Sequence, residues 1–379
     1  MPWPLSVLVV AGTRPEAVKM APVLRRLRRE PKKFRARFLA TGQHRELLNA
    51  MLDDLGLRPD VDLRVMRRGQ SPGDVLPRVT SGVEAVLKRE RYDLVLVQGD
   101  TTSVLGAALA AFHQNVPVGH IEAGLRSFDL TRPYPEEMNR VVVDRLSSLL
   151  FAPTPHARRN LRREGFPDAM IFTTGNTAVD AVRWAALRPG NFREPALRAL
   201  PKAKLVVTVT MHRRESFGKP LEGVFRGLTR AVEENPNLLL VYPVHPNPAV
   251  QSAARRLLRH SRIVLVPPLG YLDFVRLMKR SHAILTDSGG IQEEAPSLGK
   301  TVLVVRQKTE RPEVLGGARG RLVGVGEPQV YRALRALSGH DAPKRKSNPF
   351  GDGRAADRIA GGILYWAGAR KRRPADFEG

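Results

Sequence analysis

The sequence predicts an α/β protein with two doubly wound domains, each built on a parallel sheet. Short apolar runs recur along the 379-residue chain, and each is followed by a segment with helical periodicity. The runs are continuously apolar, which is typical of parallel strands buried on both faces. The alternation breaks once, at a Pro- and Arg-rich stretch over residues 187–201, and then restarts. These observations predict a first domain at 1–185, a second at 200–350 and a C-terminal segment at 351–379.

The predicted strands are distributed over both domains. In the first domain they lie at 6–10, 34–39, 94–97, 116–121, 149–151 and 171–173, and in the second at 205–209, 238–241, 263–266, 284–286 and 302–305. The C-terminal segment has helical spacing over 352–366 and a basic tail at 370–373, which we expect to be poorly ordered. Ligands of such sheets bind at the carboxyl ends of the strands, where the polar, Gly-containing motifs fall, so we expect one cleft.

The composition narrows the class of protein. With 42% hydrophobic and 26% charged residues the chain is a folded globular protein, and no apolar run reaches the roughly 18 to 20 residues of a membrane span. The absence of cysteine excludes disulfides, a thiolate nucleophile and Cys-ligated zinc. The apolar run at 5–11 has no basic segment before it and no cleavage pattern after it. We therefore interpret it as a core strand and expect a cytoplasmic enzyme.

The chain is strongly basic, since 62 Lys and Arg against 37 Asp and Glu give a net charge of +25. Such a charge favours an anionic partner, whether nucleic acid, a membrane surface or a nucleotide-linked metabolite. The basic residues are dispersed, aromatic residues make up 6%, and no nucleic-acid-binding module is recognisable. We therefore expect no nucleic-acid partner.

The first motif, Gly-Thr-Arg-Pro-Glu at 12–16, follows the first strand and precedes Lys19. Proline suits a helix start, and a helix N-terminus attracts anions, so the motif is compatible with a phosphate site. By itself, an ordinary strand-to-helix turn explains it better.

Two carboxylates, Asp100 and Glu122, follow neighbouring strand ends. Like charges held close raise one pKa, which supplies both an acid and a base near neutral pH. An isolated Asp in the place of Asp100 more often caps the following helix.

A further helix start carries Glu136 and Glu137 with Arg140 one turn on. Acids in a first turn are expected from the helix dipole, and this accounts for Glu137. Glu136 and Arg140 are spaced i,i+4, which is compatible with a surface pair worth roughly 0.3 to 0.5 kcal/mol.

Motifs of the second domain suit an anionic ligand. His212 and two arginines follow one strand end, a cluster that would neutralise a diphosphate, while His245 in a later turn is more simply structural. At 287–294 a Gly pair frees backbone N–H groups for phosphate, and Glu294 would accept ribose hydroxyls. The combination favours a sugar nucleotide.

In order and over nearly the whole chain, these motifs resemble the non-hydrolysing UDP-N-acetylglucosamine 2-epimerase family. The resemblance implies a glycosyltransferase-B-type fold, with two Rossmann-like domains facing a central cleft, and a homodimer. The matching segments are 12–16, 99–101, 120–126, 135–140, 212–218, 287–294, 309–313 and 348–353.

The resemblance also implies an activity and its residues. The family interconverts UDP-GlcNAc and UDP-ManNAc by eliminating UDP to 2-acetamidoglucal and re-adding it, with no cofactor and no metal. The catalytic residues of the family fall on Lys19, Asp100, Glu122, Glu136, Arg140 and His212. Its UDP contacts fall on Arg14, His212, Ser288, Gly289, Gly290 and Glu294.

Many members bind a second UDP-GlcNAc as an allosteric activator. The residues that match this site are Gln43, His44, Arg213 and His245. The chain departs from the family pattern at Glu46, Met211 and Gln307.

Other functions remain open from the sequence. A 2-epimerase acting on a UDP-2,3-diacetamido uronic acid would share the uridine and diphosphate site. A hydrolysing epimerase would release free N-acetylmannosamine. A catalytically inactive protein would bind the UDP-sugar without converting it.

Overall fold

The computed structural model describes residues 3–42, 51–65, 67, 69–201, 203–211, 213, 218–309, 311–316, 320–337 and 348–379. The chain forms two compact units. The first comprises Met1–Ala181 and Phe350–Gly379, and the second comprises Val182–Pro349. The C-terminal segment therefore belongs to the first unit.

A single parallel sheet forms the centre of the first unit. Its strands are β1 (Leu5–Ala11), β2 (Phe34–Ala40), β3 (Val61–Asp62), β4 (Leu94–Gln98), β5 (Val118–Ile121), β6 (Leu149–Ala152) and β7 (Ile171–Thr173). The order is β3-β2-β1-β4-β5-β6-β7, so the chain reverses direction across the sheet between β1 and β4. The short edge strand β3 was not predicted, because two residues make no recognisable apolar run.

Helices cover both faces of this sheet. They are α1 (Arg14–Arg28), α2 (Pro72–Arg89), α3 (Thr102–His113), α4 (Glu136–Leu146), α5 (Pro155–Arg163) and α6 (Thr177–Ala186), with a 3₁₀ turn at Asp168–Met170. On one face α2 and α3 pack through fully buried small side chains, among them Val79, Val83, Ala107 and Ala108. Their small volume lets the two helices lie close together over the centre of the sheet.

The second unit repeats this architecture. Its strands are β8 (Leu205–Thr210), β9 (Leu238–Pro243), β10 (Ile263–Val266), β11 (Ala283–Thr286), β12 (Thr301–Val304) and β13 (Gly320–Leu322). They are parallel, in the order β10-β9-β8-β11-β12-β13. The helices are α7 (Pro195–Arg198), α8 (Lys219–Glu234), α9 (Pro248–Leu257), α10 (Tyr271–Arg280), α11 (Gly289–Glu294), α12 (Glu313–Gly316) and α13 (Glu327–Arg335), with a 3₁₀ turn at Ala295–Leu298. The predicted fold class of two doubly wound α/β domains is confirmed.

The last helix, α14 (Ala355–Trp366), packs on α1 of the first unit. The expectation that the tail after it is poorly ordered is wrong. The N–H of Phe377 donates to the carbonyl of Thr173 at 2.7 Å, and the N–H of Thr173 donates to Asp376 at 2.8 Å. The guanidinium of Arg373 lies 4.4 Å from the centre of the Phe172 ring. Since β7 is an edge strand, the tail supplies partners for its otherwise unpaired backbone.

Among the helices of the described residues, none combines the length and the apolar character needed to cross a membrane.

Candidate active site

Side chains from three elements converge on Glu122, which follows β5 at the carboxyl edge of the first sheet. Its carboxylate accepts hydrogen bonds from Lys19 Nζ of α1 at 2.5 Å and from Asn176 Nδ2, just after β7, at 3.3 Å. Gln98, the last residue of β4, donates to the other carboxylate oxygen. Glu122 itself has a left-handed backbone, with φ of +73°. The sheet topology therefore builds the surroundings of this carboxylate from distant parts of the chain.

The Lys19–Glu122 pair is shielded from solvent, with side chains 10% and 7% exposed. Burying two charges costs desolvation energy, which close pairing and additional hydrogen bonds offset. Gln98 and Asn176 supply those additional bonds. The result is an oriented carboxylate beside a cation, an arrangement suited to moving a proton to or from a bound ligand.

Asp100 lies at the end of the adjacent strand and is also paired with a cation. Its carboxylate is 2.5 Å from Arg140 Nη2 of α4, and its carbonyl accepts from Asn139 Nδ2 at 2.9 Å. Asp100 is not the cap of the following helix, because Thr101 caps α3 by accepting from the N–H of Val104 at 3.3 Å. Asp100 and Glu122 thus reach the same sheet edge, as predicted, and each faces a cation.

The charged residues at the start of α4 pair with distant partners as well as with each other. Arg140 pairs with Asp100 and with Glu137, 3.2 Å away, and not with Glu136, for which the i,i+4 spacing left a surface pair open. Glu137 is 1% exposed and accepts the backbone N–H groups of residues 127–128 at 2.9 and 3.0 Å. Glu137 therefore anchors the preceding loop, which its first-turn position alone did not indicate. Within the described part of the chain, the half-buried Glu136 carboxylate has no hydrogen bond or ion pair.

The turn between β1 and α1 is closed by its own glutamate. Glu16 accepts from the N–H groups of Gly12 and Thr13 at 2.6 and 3.3 Å, and from Thr101 Oγ1 at 2.8 Å. Burial raises the pKa of Glu16, and these donors oppose that change. The N–H groups of Gly12 and Thr13 are therefore already occupied, as in the ordinary strand-to-helix turn that the motif by itself favoured. Arg14, at the first helical position, has no partner among the described residues, and burial lowers the pKa of its guanidinium.

A second buried network surrounds the imidazole of His120 on β5. Its Nδ1 lies 2.6 Å from Asp144 Oδ1, and its Nε2 lies 2.8 Å from the carbonyl of Gly99. The other oxygen of Asp144 accepts from Gly124 N at 3.1 Å and pairs with Arg126 Nη2 at 2.7 Å. Burial alone would raise the pKa of Asp144, but His120 and Arg126 outweigh it and lower the pKa.

In the second unit, polar bonds tie the carboxyl ends of β8 and β11 together. The hydroxyls of Thr210 and Thr286 are 2.6 Å apart. The fully buried Asp287 accepts the N–H of Arg213 at 3.0 Å. These bonds fix the backbone on both sides of residue 212. His212 itself, with Gln43 and His44, lies outside the described residues.

The predicted UDP contacts Ser288, Gly289 and Gly290 form the start of α11. The N–H of Ser288 donates to Thr286 Oγ1 at 2.9 Å, and no side chain caps the helix. A Cβ at Gly289 would lie 2.5 Å from Arg311 Nη1, so only glycine lets this guanidinium lie against the backbone.

Two further predicted residues also belong to the second unit. Glu294 is buried at the end of α11. His245 is half-buried, and its Nδ1 accepts the N–H of Asn247 at 3.3 Å, as a structural histidine in a turn would.

Several site residues escaped the sequence analysis because their partners are distant along the chain. Asp144 stands inside α4, and Asn176 stands directly before α6, where an Asn is an ordinary helix cap, so neither position signals a role at the site. Gln98 had one, since a polar residue ends an otherwise apolar strand. The Thr13–Glu16 capping box was also readable, as Thr followed three positions later by Glu.

Comparisons with known proteins agree over nearly the whole chain. The family model for UDP-N-acetylglucosamine 2-epimerase matches residues 25–364. The UDP-N-acetylglucosamine 2-epimerase of Salmonella typhimurium is 44% identical over 368 residues, covering 94% of this chain and 97% of the relative. The S. aureus MnaA–UDP structure has a TM-score of 0.89 at 39% identity, covering 98% of this chain and 100% of that one. The UDP-GlcNAc 2-epimerase of Neisseria meningitidis bound to UDP-GlcNAc has a TM-score of 0.88 at 38% identity, covering 95% and 100%.

Proposed function

This chain belongs to the UDP-N-acetylglucosamine 2-epimerase family, and we propose that it interconverts UDP-GlcNAc and UDP-ManNAc by elimination and re-addition of UDP. The intermediate is 2-acetamidoglucal. The observation that carries the proposal is the buried Lys19–Glu122 pair, held by Gln98 and Asn176 at the same sheet edge as Asp100. Relatives solved with UDP and with UDP-GlcNAc support the substrate class.

The reaction requires proton transfer on both faces of the sugar. A carboxylate takes the proton from C2, the C–H electrons form the C1=C2 double bond, and the C1–O bond breaks as UDP leaves with its electron pair. In the return step UDP oxygen bonds to C1 while C2 receives a proton on the opposite face. We assign these transfers jointly to Asp100, Glu122 and Glu136, since coupled carboxylates titrate as a set.

In the proposed mechanism the basic residues orient the carboxylates and bind the departing diphosphate. Lys19 and Arg140 pair with Glu122 and Asp100 and orient the two carboxylates towards the sheet edge. The departing diphosphate needs cationic and N–H donors. The proposed donors and UDP contacts are Arg14, His212, Ser288, Gly289 and Gly290, with Glu294 accepting from the ribose.

Three finer statements belong to the same proposal and rest on the family resemblance. The enzyme is a cytoplasmic homodimer. A second UDP-GlcNAc binds as an activator at Gln43, His44, Arg213 and His245. Activation predicts a sigmoidal dependence of the rate on UDP-GlcNAc, and substituting Gln43 with Ala should change the shape of that curve more than its plateau.

The first experiment incubates the purified protein with UDP-GlcNAc in deuterated water and follows the sugar by proton NMR. UDP-ManNAc carrying deuterium at C2 is the expected product. A protein that binds UDP but leaves UDP-GlcNAc unchanged would contradict the proposal and favour the diacetamido uronate. Released N-acetylmannosamine would instead identify a hydrolysing epimerase.

Matched variants then test the carboxylates. Glu122→Gln and Asp100→Asn keep the shape of each side chain but remove its proton affinity, so we expect kcat to fall by about 10²- to 10⁴-fold. The control is Glu90→Gln, which alters a carboxylate paired with Arg37 away from the site. Equal effects of the control and site variants would show that the loss comes from folding.

A further inference from the structure

We propose that His120 is a positioning residue, held as a doubly protonated imidazolium that fixes the peptide between Gly99 and Asp100. The effect of His120 on catalysis rests on the proposed function. The protonation state of His120 is independent of that function and is tested separately.

The hydrogen bonds of His120 require two donors. A carbonyl oxygen only accepts, so the 2.8 Å contact with Gly99 places a proton on Nε2. Asp144 presents an ionised carboxylate to its neighbours, since Oδ2 receives both the N–H of Gly124 and the guanidinium of Arg126. The 2.6 Å contact to Asp144 Oδ1 therefore takes its proton from Nδ1. With both nitrogens protonated the ring is a cation.

The balance of buried charge agrees with this assignment. The Arg126 side chain is 1% exposed and also forms a two-point contact with Glu164, at 2.6 and 2.8 Å. A charged His120 and Arg126 then balance the charges of Asp144 and Glu164. A neutral imidazole would leave an excess negative charge in a group whose core is shielded from water, which is unfavourable.

The imidazolium holds the backbone directly before Asp100. Gly99 has φ of +82°, and its N–H donates to the carbonyl of Ile121 at 3.1 Å. His120 holds the carbonyl of Gly99, and Asn139 holds the carbonyl of Asp100 at 2.9 Å. The peptide that presents the Asp100 carboxylate is thus anchored at successive polar groups.

The same ion pair also reaches the turn that carries Glu122. Asp144 binds the N–H of Gly124, two residues after Glu122. Glu122 has a left-handed conformation, which is costly for a residue with a side chain and persists only where the surroundings hold it. One ion pair, His120–Asp144, therefore fixes the two turns that carry Asp100 and Glu122.

The first test reads the protonation state without using activity. In protein labelled with ¹⁵N-histidine, long-range ¹H–¹⁵N spectra distinguish protonated from unprotonated ring nitrogens, and loss of a signal in His120→Asn assigns it. We expect both nitrogens of His120 to be protonated in the folded protein at pH 7. One unprotonated nitrogen at pH 7 would overturn the inference.

The second test separates positioning from stability. In His120→Asn the shorter amide still donates towards Asp144 but no longer reaches Gly99. We expect kcat to fall about 10- to 100-fold through misplacement of Asp100, with KM for UDP-GlcNAc changed less than about twofold. The control is Tyr92→Phe, which removes the hydrogen bond that Tyr92 donates to Glu90. Both residues precede β4, at the end of the strand opposite to Asp100.

The outcomes of the two tests are distinguishable. If both variants lower the melting temperature and only His120→Asn lowers kcat, the positioning role stands. An unchanged kcat in His120→Asn overturns it. Should His120→Asn fail to fold, His120→Gln, whose amide reaches towards Gly99, is expected to retain more activity than His120→Ala, and equal loss in both overturns the role. If the wild type does not convert UDP-GlcNAc, the proposed function fails while the NMR result still decides the state of His120.

Discussion

The helices α1 and α11 both begin at a glycine-containing turn after a buried strand, but a side chain caps only the start of α1. Each follows a buried strand, β1 or β11, and each has a glycine at the turn. In α1 the N–H groups of Gly12 and Thr13 are occupied by Glu16. In α11 no side chain caps the helix, and Arg311 lies against Gly289.

The residue at the third helical position accounts for the difference. It is Glu16 in α1 and Ile291 in α11. Only the glutamate can reach back to the turn and complete a capping box. A glycine at a strand-to-helix turn therefore does not itself predict an anion site, because a nearby carboxylate decides whether the donors stay available.

The start of α14 is a third case, closed by a carboxylate from another helix. Asp180 of α6 accepts the N–H groups of Ala355 and Ala356 at 3.2 and 3.0 Å. Burial raises the pKa of Asp180 to about 6, with smaller contributions from neighbouring acids, while the two backbone bonds oppose the shift.

The largest effect is expected from opening α1. Glu16→Ala leaves two backbone N–H groups and two hydroxyls without their acceptor, and we expect a loss of about 3 to 4 kcal/mol in unfolding free energy. Denaturant unfolding measures it. The control is Glu30→Ala, which removes partly exposed ion pairs with Arg26 and Lys33 worth less than about 1 kcal/mol. Similar losses in both variants would show that the closed turn contributes little.

The closure of α14 is expected to depend on pH. Asp180 binds its proton more tightly in the folded state, so it stabilises the fold relative to Asp180→Asn at low pH. That advantage is lost as pH rises from the unfolded value of 3.8 through about 6, by up to about 3 kcal/mol. Unfolding free energies of both proteins between pH 4 and pH 8 provide the measurement. A difference that is constant over this range would contradict the raised pKa.

The open turn of α11 is tested by Gly289→Ala. The added methyl group must displace the Arg311 guanidinium, and we expect UDP to bind about tenfold more weakly, or about 1.4 kcal/mol. Isothermal titration calorimetry measures the affinity. Gly73→Ala, where the nearest atom to the new Cβ is Ser71 Oγ at 3.5 Å, serves as the control. Unchanged binding in Gly289→Ala would remove this turn from the proposed UDP site.

The smallest effect tests the link between α1 and α3. Thr101 caps α3 and donates to Glu16, so Thr101→Val is expected to cost about 1 kcal/mol, and Thr101→Ser much less. Combined with Glu16→Ala, the loss should be less than the sum, because the two residues share a hydrogen bond. Strict additivity in the double variant would show that the two helix starts are independent.

Most of the fold was predictable because its strands are local apolar runs. The unpredicted strands β3 and β13 are edge strands of two and three residues with a polar or charged member. Their pairing comes from the neighbouring strand, so no local pattern reveals them. The ordered tail is similar, because the bonds of Arg373 and Phe377 to the region of β7 depend on the sheet edge they meet.

The ends of the longer strands, the starts of the helices and the polar residues at those points were readable from the sequence, since they depend on local periodicity and on Pro, Gly and capping residues. The pairing of the charges became visible in the folded chain alone. Lys19 meets Glu122 across 103 residues, and Arg140 pairs with Asp100 instead of Glu136, its neighbour one turn away. The physical reason is that β1, β4 and β5 lie side by side, and the strength of an ion pair depends on distance and burial in space, which spacing along the chain does not encode.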